Sequence, residues 1–221
     1  MVRVAVFGAS RGCAHAMVAQ GLAKGDHEFK LLIRKPENLD FTEDQKAKLT
    51  IIEGDANDAV AVKQTIVDTD VIVYSIGSAF ITSSRTMVSP GLCRDTMTVI
   101  LQVIEQLAEE ERPKRLIAVS STGLNDMSEV PLLFRPVYKL LLHEPHQDKK
   151  ELERLVSTNS FISNWILVRP SFLTDGKLEE KYRADEGISG YTVSRLDVGH
   201  FLLNQCLVPT TWINKKVVVT Y

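Results

Sequence analysis

Short runs dense in valine, isoleucine and leucine, without a polar residue at alternate places, are separated throughout this chain by stretches of helical spacing. The runs cover residues 3–8, 29–34, 49–54, 70–76, 115–121 and 165–169, and 215–221 reads as a late strand. A strand that is apolar on both faces must be covered on both, as in a parallel sheet sandwiched between helices. The helical stretches are 14–24, 59–67, 91–111 and 145–157, with 132–143 helical too despite Pro136. Strand and helix in alternation predict the α/β class: a doubly wound, mostly parallel sheet with helices on both faces. A chain of 221 residues is expected to make one domain, 1–221, with a small substrate-binding segment near its C-terminal end.

Composition narrows the partners. A formal net charge of −2 gives no pull toward nucleic acid or an anionic membrane surface. No apolar run approaches the roughly eighteen residues of a membrane span, and no basic-then-apolar segment opens the chain. Cys13, Cys93 and Cys206 are far apart and odd in number, so neither a metal site nor a disulfide framework is expected, and a reducing cytoplasm is the expected home. A small-molecule substrate is the expected partner, and a homodimer stays open.

In doubly wound sheets ligands bind beyond the carboxyl ends of the strands, where the strand order reverses. The first such turn reads Gly8-Ala-Ser-Arg-Gly12-Cys-Ala14. Gly8 lets the chain reverse, Gly12 removes a side chain where backbone must approach a diphosphate, and Ala14 is small enough for helix to pack on strand. The following helix aims free N–H groups and a positive dipole end at an anion. The turn from Gly8 through Ser10, Arg11, Gly12 and Cys13 to Ala14 is therefore a nucleotide-binding candidate.

The run "FGASRGCAHA" resembles the fingerprint of short-chain dehydrogenases/reductases, with Ala14 and His15 where a glycine and another residue usually stand. "LLIRKPENL", "IIEGDANDAVAV", "TDVIVYSIGS", "RLIAVSSTGL", "WILVRPSFLTDG" and "YTVSRLDVGHFLL" follow in the family's order. Over nearly its whole length the chain is similar to the atypical members, the NmrA-like and biliverdin-IXβ-reductase-like NAD(P)-binding proteins. The resemblance implies an NADPH-dependent oxidoreductase acting on a small, largely apolar organic molecule. Two alternatives remain: an enzyme keeping NADP as a scaffold for isomerisation or cyclisation, and a dinucleotide sensor with a protein partner.

NAD-selective folds place an acid at the end of the second strand, whereas this chain has Arg34 and Lys35 there and Arg11 in the glycine turn. An arginine fork suits a 2′-phosphate, which favours NADP as cofactor. Asp55, followed by Ala56, resembles the family residue that meets the adenine amino group, and it equally suits a turn-capping aspartate. Ile76 and Gly77 are expected to line the adenine–ribose floor. "RPSFLTDG" resembles the segment that meets the nicotinamide amide through backbone, which marks Pro170, Ser171, Phe172 and Leu173.

The family's usual Tyr-x-x-x-Lys pair is absent: Tyr138 is followed four residues later by Leu142, and the residue four before Lys149 is Pro145. Thr122 best matches the family's catalytic hydroxyl, with Ser121 next and Ser120 on the cofactor side. Lys149 lies on the rim of its helix's apolar stripe, where either the cleft or Glu153, an i,i+4 partner, claims it. Tyr138, His143 and His146 are candidates to replace the missing tyrosine, and biliverdin-reductase-like relatives take the proton from solvent. The substrate is expected beneath segments 78–90 and 171–195. Phe80, Ile81, Met87 and Phe172 suit an uncharged substrate, and Arg85 suits a carboxylate.

Overall fold

The structure, a computed structural model, describes residues 1–78, 80, 81, 86–136, 138 and 143–221, with backbone alone at 80, 81, 86 and 143. Its central sheet has eight strands, in spatial order β10 (Arg183–Asp185), β12 (Lys215–Thr220), β8 (Asn164–Pro170), β7 (Arg115–Val119), β4 (Val71–Tyr74), β1 (Val2–Phe7), β2 (His27–Ile33) and β3 (Leu49–Glu53). All pairings are parallel except β10 with β12. Strand order reverses between β1 and β4, where a doubly wound sheet opens its crevice.

The unbroken apolar runs arise because both faces are covered. In β1, Val4 and Val6 enter one core and Ala5 and Phe7 the other, all fully buried. The first core includes Met17 and Val18 of α1 (Gly12–Lys24) and Phe201 of α6 (Arg195–Phe201). A Cβ on Gly199 would lie 2.7 Å from Ala16 and Met17, so α6 crosses close against α1. The second core takes Val62 of α3 (Ala59–Ile66), Met97 and Ile100 of α4 (Leu92–Gln106) and Leu152 of α5 (His143–Thr158). Burying one such large side chain contributes about 1.5–3 kcal/mol relative to exposure. The single turn α2 (Glu43–Lys46), which leads into β3, is closed by a capping box between Thr42 and Gln45.

Several boundaries differ from expectation. β1 stops at Phe7 because Gly8 turns to φ +91°, and a Cβ there would sit 2.7 Å from the Ser75 carbonyl. β4 correspondingly ends at Tyr74 rather than residue 76. The helix expected over 91–111 ends at Gln106, where the Arg112 guanidinium turns back onto the carbonyls of Ile104, Glu105 and Leu107 at 3.0–3.1 Å. Satisfying these orphan acceptors from outside terminates the helix. The helix expected over 132–143 opens instead with a 3-10 turn at Leu132–Phe134 and is helical at 135, 136, 138 and 143, while 137 and 139–142 lie outside the described residues.

The region after Pro170 carries elements too short to show a period. β9 (Phe172–Thr174) pairs in parallel with β11 (Thr192–Ser194), and β5 (Phe80–Ile81) pairs with β6 (Thr86–Met87) in the loop after β4. Buried Asp197 ties this region together, accepting from the Glu179 and Glu180 N–H groups, Ser194 Oγ and Tyr221 Oη. Burial alone would raise the Asp197 carboxyl, yet the bonds from Tyr221, Ser194 and the two amides hold it below the ordinary value.

Candidate functional site

A cavity of about 670 Å³ opens at the crevice, lined by the turns that follow β1, β2, β3 and β4. Gly8, Ser10 and Arg11 form one wall, Arg34, Lys35 and Asn38 a second, Gly54, Asp55 and Ala56 a third, and Ser75, Ile76 and Gly77 the fourth. Leu92 and Thr96 close it from α4. Helix α1 starts at its margin with no acidic residue in the first turn and no side-chain cap, leaving its first N–H groups free for an external acceptor. Gly12 has φ +77°, and a Cβ on it would meet nothing within 4 Å, so the space beside that helix end is open. Cys13 and Ala14 are buried beneath the turn and offer it backbone only. Burial pushes the Cys13 thiol up to about 12, well away from the reactive thiolate. His15 braces the turn, its Nδ1 3.3 Å from the Ala9 carbonyl and its ring stacked 4.4 Å from Phe41.

Cations dominate the second wall. Arg34 is 73% exposed, and its Nη1 lies 3.8 Å from Asp55 Oδ2 across the cavity. Asp55 Oδ1 meanwhile accepts from the backbone and side chain of Asn57 at 2.9 and 3.0 Å. One oxygen of this aspartate thus caps the turn, and the other lies toward Arg34.

At the far end of the crevice stands Lys149. Its Nζ donates to the carbonyls of Ile76 at 3.0 Å and Val119 at 2.9 Å, bridging the rims that follow β4 and end β7. Glu153, the rival partner, is occupied elsewhere. An ammonium has three donors, and these bonds use two of them, with the Nζ also 6.0 Å from the Tyr74 ring centroid. Next to it, Asp148 accepts from the Cys93 and Arg94 N–H groups at 2.9 Å each and so caps α4 from a neighbouring helix.

The hydroxyls after β7 are arranged differently from expectation. Thr122 has no exposed surface, and its Oγ1 sits 3.2 Å from Tyr138 Oη and 3.4 Å from the Pro170 carbonyl. Tyr138 is itself buried, its ring 5.6 Å from His146, and burial raises its phenol. This pair therefore faces inward, and the half-buried Ser121 is the hydroxyl left on the rim. Ser120 also turns away from the cleft, donating to Glu153 at 2.7 Å. Ser171 is spent on Thr220 Oγ1 at 2.6 Å. Pro170 is buried, while Phe172 and Leu173 reach the surface to greater and lesser degrees. Met87 is buried with its N–H on Glu144 and does not present itself to a substrate, and Arg85 lies outside the described residues.

Beneath the rim lies a charge cluster absent from the expectations. Arg169 Nη1 meets Glu129 at 2.5 Å, Nη2 meets Glu153 at 2.6 Å and Nε meets Glu153 at 2.8 Å. Lys216 stands 3.3 Å from Glu153. Burial would lift the Glu153 carboxyl, but Arg169, Ser120 and Lys216 outweigh it and hold it below its ordinary range. One signal was available: an arginine ending the buried run "WILVR" demands a buried counter-charge.

The glycine turn and cavity fall within the match, over residues 8–209, to a family described as NAD(P)H-binding. The chain is 31% identical to "Reductase pytE" of Aspergillus terreus, over 99% of this chain and 97% of that protein. It is 25% identical to "Oxidase pynE" of Aspergillus niger, over 98% of each. Among solved structures, a short-chain dehydrogenase/reductase from Veillonella parvula in complex with NADP superposes with a TM-score of 0.76 at 18% identity, over 100% of this chain and 94% of that one. ChuY, an anaerobilin reductase from Escherichia coli, gives a TM-score of 0.72 at 19% identity, over 99% and 96% of the two chains. Among the described residues, no helix is long and apolar enough to cross a membrane, and no group of three or more His, Cys, Asp or Glu is placed to hold a metal ion.

Proposed function

Since the chain belongs to the NAD(P)H-binding family, we propose that it is an NADPH-dependent oxidoreductase acting on a small, largely apolar organic molecule. The observation that carries the reading is the open, cation-rimmed cavity beside an uncapped helix start. Names given to two relatives, a reductase and an oxidase, point the same way.

The residues fit a dinucleotide part by part. Backbone N–H groups of Gly12, Cys13 and Ala14 receive the diphosphate, with Gly8 and Ser10 shaping the approach. Arg34 and Arg11, with Lys35 beside them, receive a 2′-phosphate, and Asp55, Ala56, Ile76 and Gly77 enclose the adenosine. The remaining N–H of Lys149 reaches ribose hydroxyls of the nicotinamide half, while Ser121, and the backbone from Pro170 to Leu173 through Ser171 and Phe172, border the ring. When bound, NADPH supplies the hydride. Ser121 holds a proton at the rim, and Thr122 and Tyr138 support that turn from behind.

Substrate character is read from the apolar side chains left exposed in the segments after β7 and β8. Phe172 and Tyr191 are 48% and 50% exposed, and the Tyr191 ring meets Phe134 edge-on at 5.2 Å. Leu132 and Leu133 stand exposed beside Phe134 in sequence. Aromatic walls with an open face suit a flat apolar partner.

Arg34→Asp is expected to weaken NADPH binding by about 1.5–3 kcal/mol, the worth of a contact to a charged group, while NADH binding stays nearly unchanged. Fluorescence titration with both cofactors is the check, and equal losses would remove the 2′-phosphate assignment. Lys149→Met is expected to lower cofactor affinity or turnover. It should also lower the melting temperature modestly, because two rim carbonyls lose their donor. Lys150→Met, a matched control one position along α5, should change neither. Identical behaviour of the two variants would return Lys149 to the helix surface.

A further inference from the structure

The turn after β7 is clamped from beneath at two points. Ser120 Oγ donates to Glu153 at 2.7 Å, and the Gly123 N–H donates to Glu129 at 3.1 Å. Both carboxylates are held by one guanidinium, that of Arg169, and all three side chains are almost wholly buried, at 5%, 2% and 6% exposure for Glu129, Glu153 and Arg169. Lys216 completes two cations against two carboxylates. Between the clamped points lie Ser121 and Thr122. One helical turn before Glu153 on α5 lies Lys149, whose ammonium grips the carbonyl of Val119, directly before Ser120. A single side chain at the end of β8 thus joins, through two carboxylates, the turn that carries the rim hydroxyl and the helix that carries the lysine.

We propose that Arg169, acting through Glu129 and Glu153, is a positioning residue for the nicotinamide end of the cleft, and that it leaves the adenine end alone. The inference rests on the reading of the cleft as an NADPH site. The adenine end is built by the turns after β1, β2 and β3, with Ile76 and Gly77 after β4 as its floor. None of these residues belongs to the cluster, and Lys149 meets that floor at the Ile76 carbonyl. A cluster serving stability alone would, when weakened, loosen both ends together.

The two ends can be probed separately with NADPH and with 2′,5′-ADP, which carries only the adenine half. Ser120→Ala removes one clamp and keeps both ion pairs, Glu129→Gln weakens the other, and Arg169→Lys leaves a point charge that cannot fork to two carboxylates. In Ser120→Ala, affinity for NADPH is expected to fall about tenfold, the free-energy equivalent of about 1.4 kcal/mol, with that for 2′,5′-ADP within about twofold of wild type. Amide hydrogen exchange in the ligand-free protein should quicken at 121–123. Arg169→Lys should give the same pattern more strongly, and should it fail to fold, Ser120→Ala decides. Parallel loss of both ligands, or unchanged NADPH affinity with unchanged exchange, overturns the positioning role alone. Wild-type protein that binds neither probe overturns the cofactor reading and this inference with it.

Discussion

Gly12→Val is expected to weaken NADPH binding by at least about a hundredfold, roughly 2.7 kcal/mol. The space a side chain would enter is open, since nothing lies within 4 Å of its Cβ position. The valine methyls would therefore displace ligand rather than protein. The φ of +77° adds a second cost that sequence spacing did not reveal: a β-branched residue in the left-handed region loses about 1–2 kcal/mol. Some loss of melting temperature should accompany the binding defect, with unfolding still cooperative. Gly12→Asn separates the two effects, because asparagine tolerates that backbone while still filling the space. Isothermal titration and a thermal melt on both variants are the measurements. Binding within about threefold of wild type in either variant would show that the turn does not cradle the diphosphate.

Arg169→Met is expected to lower the free energy of unfolding by about 3–5 kcal/mol, the cost of breaking a buried ion pair from one side. Glu129 would lose the guanidinium it pairs with, and Glu153 would keep Lys216 at 3.3 Å. The deficit should also depend on pH. Glu153 is held below its ordinary value of 4.5, so its ion-pair stabilisation is present above that value and is lost as pH falls below it. Urea unfolding at pH 7 and again below pH 4 should therefore show the gap between wild type and variant narrowing in acid. A methionine variant within about 1 kcal/mol of wild type at pH 7 would mean that the cluster is no better than apolar packing.

Much of this architecture was legible in one dimension. Apolar runs with no polar alternation require cover on both faces, and the paired cores on either side of β1 are that requirement met. The spacing of Gly8, Gly12 and Ala14 between a strand and a helix located the cavity, and Arg34 and Lys35 at the end of β2 located its cationic wall. Such features are local, set by residues a few places apart, and local chemistry is written in order along the chain. The hydroxyls were different. Thr122 stood first in sequence as the catalytic hydroxyl, with Ser121 next, and only the tertiary packing turned Thr122 and Ser120 inward, onto Tyr138 and Glu153, and left Ser121 on the rim. Lys149 and Glu153 stand at a spacing that pairs them on an isolated helix, yet the fold separates them. Carbonyls at two strand ends take the ammonium, and a guanidinium sixteen residues beyond Glu153 takes the carboxylate. The tertiary structure decided these partnerships because a buried charge takes whichever counter-charge the packing brings within reach, and sequence separation sets no limit on that choice.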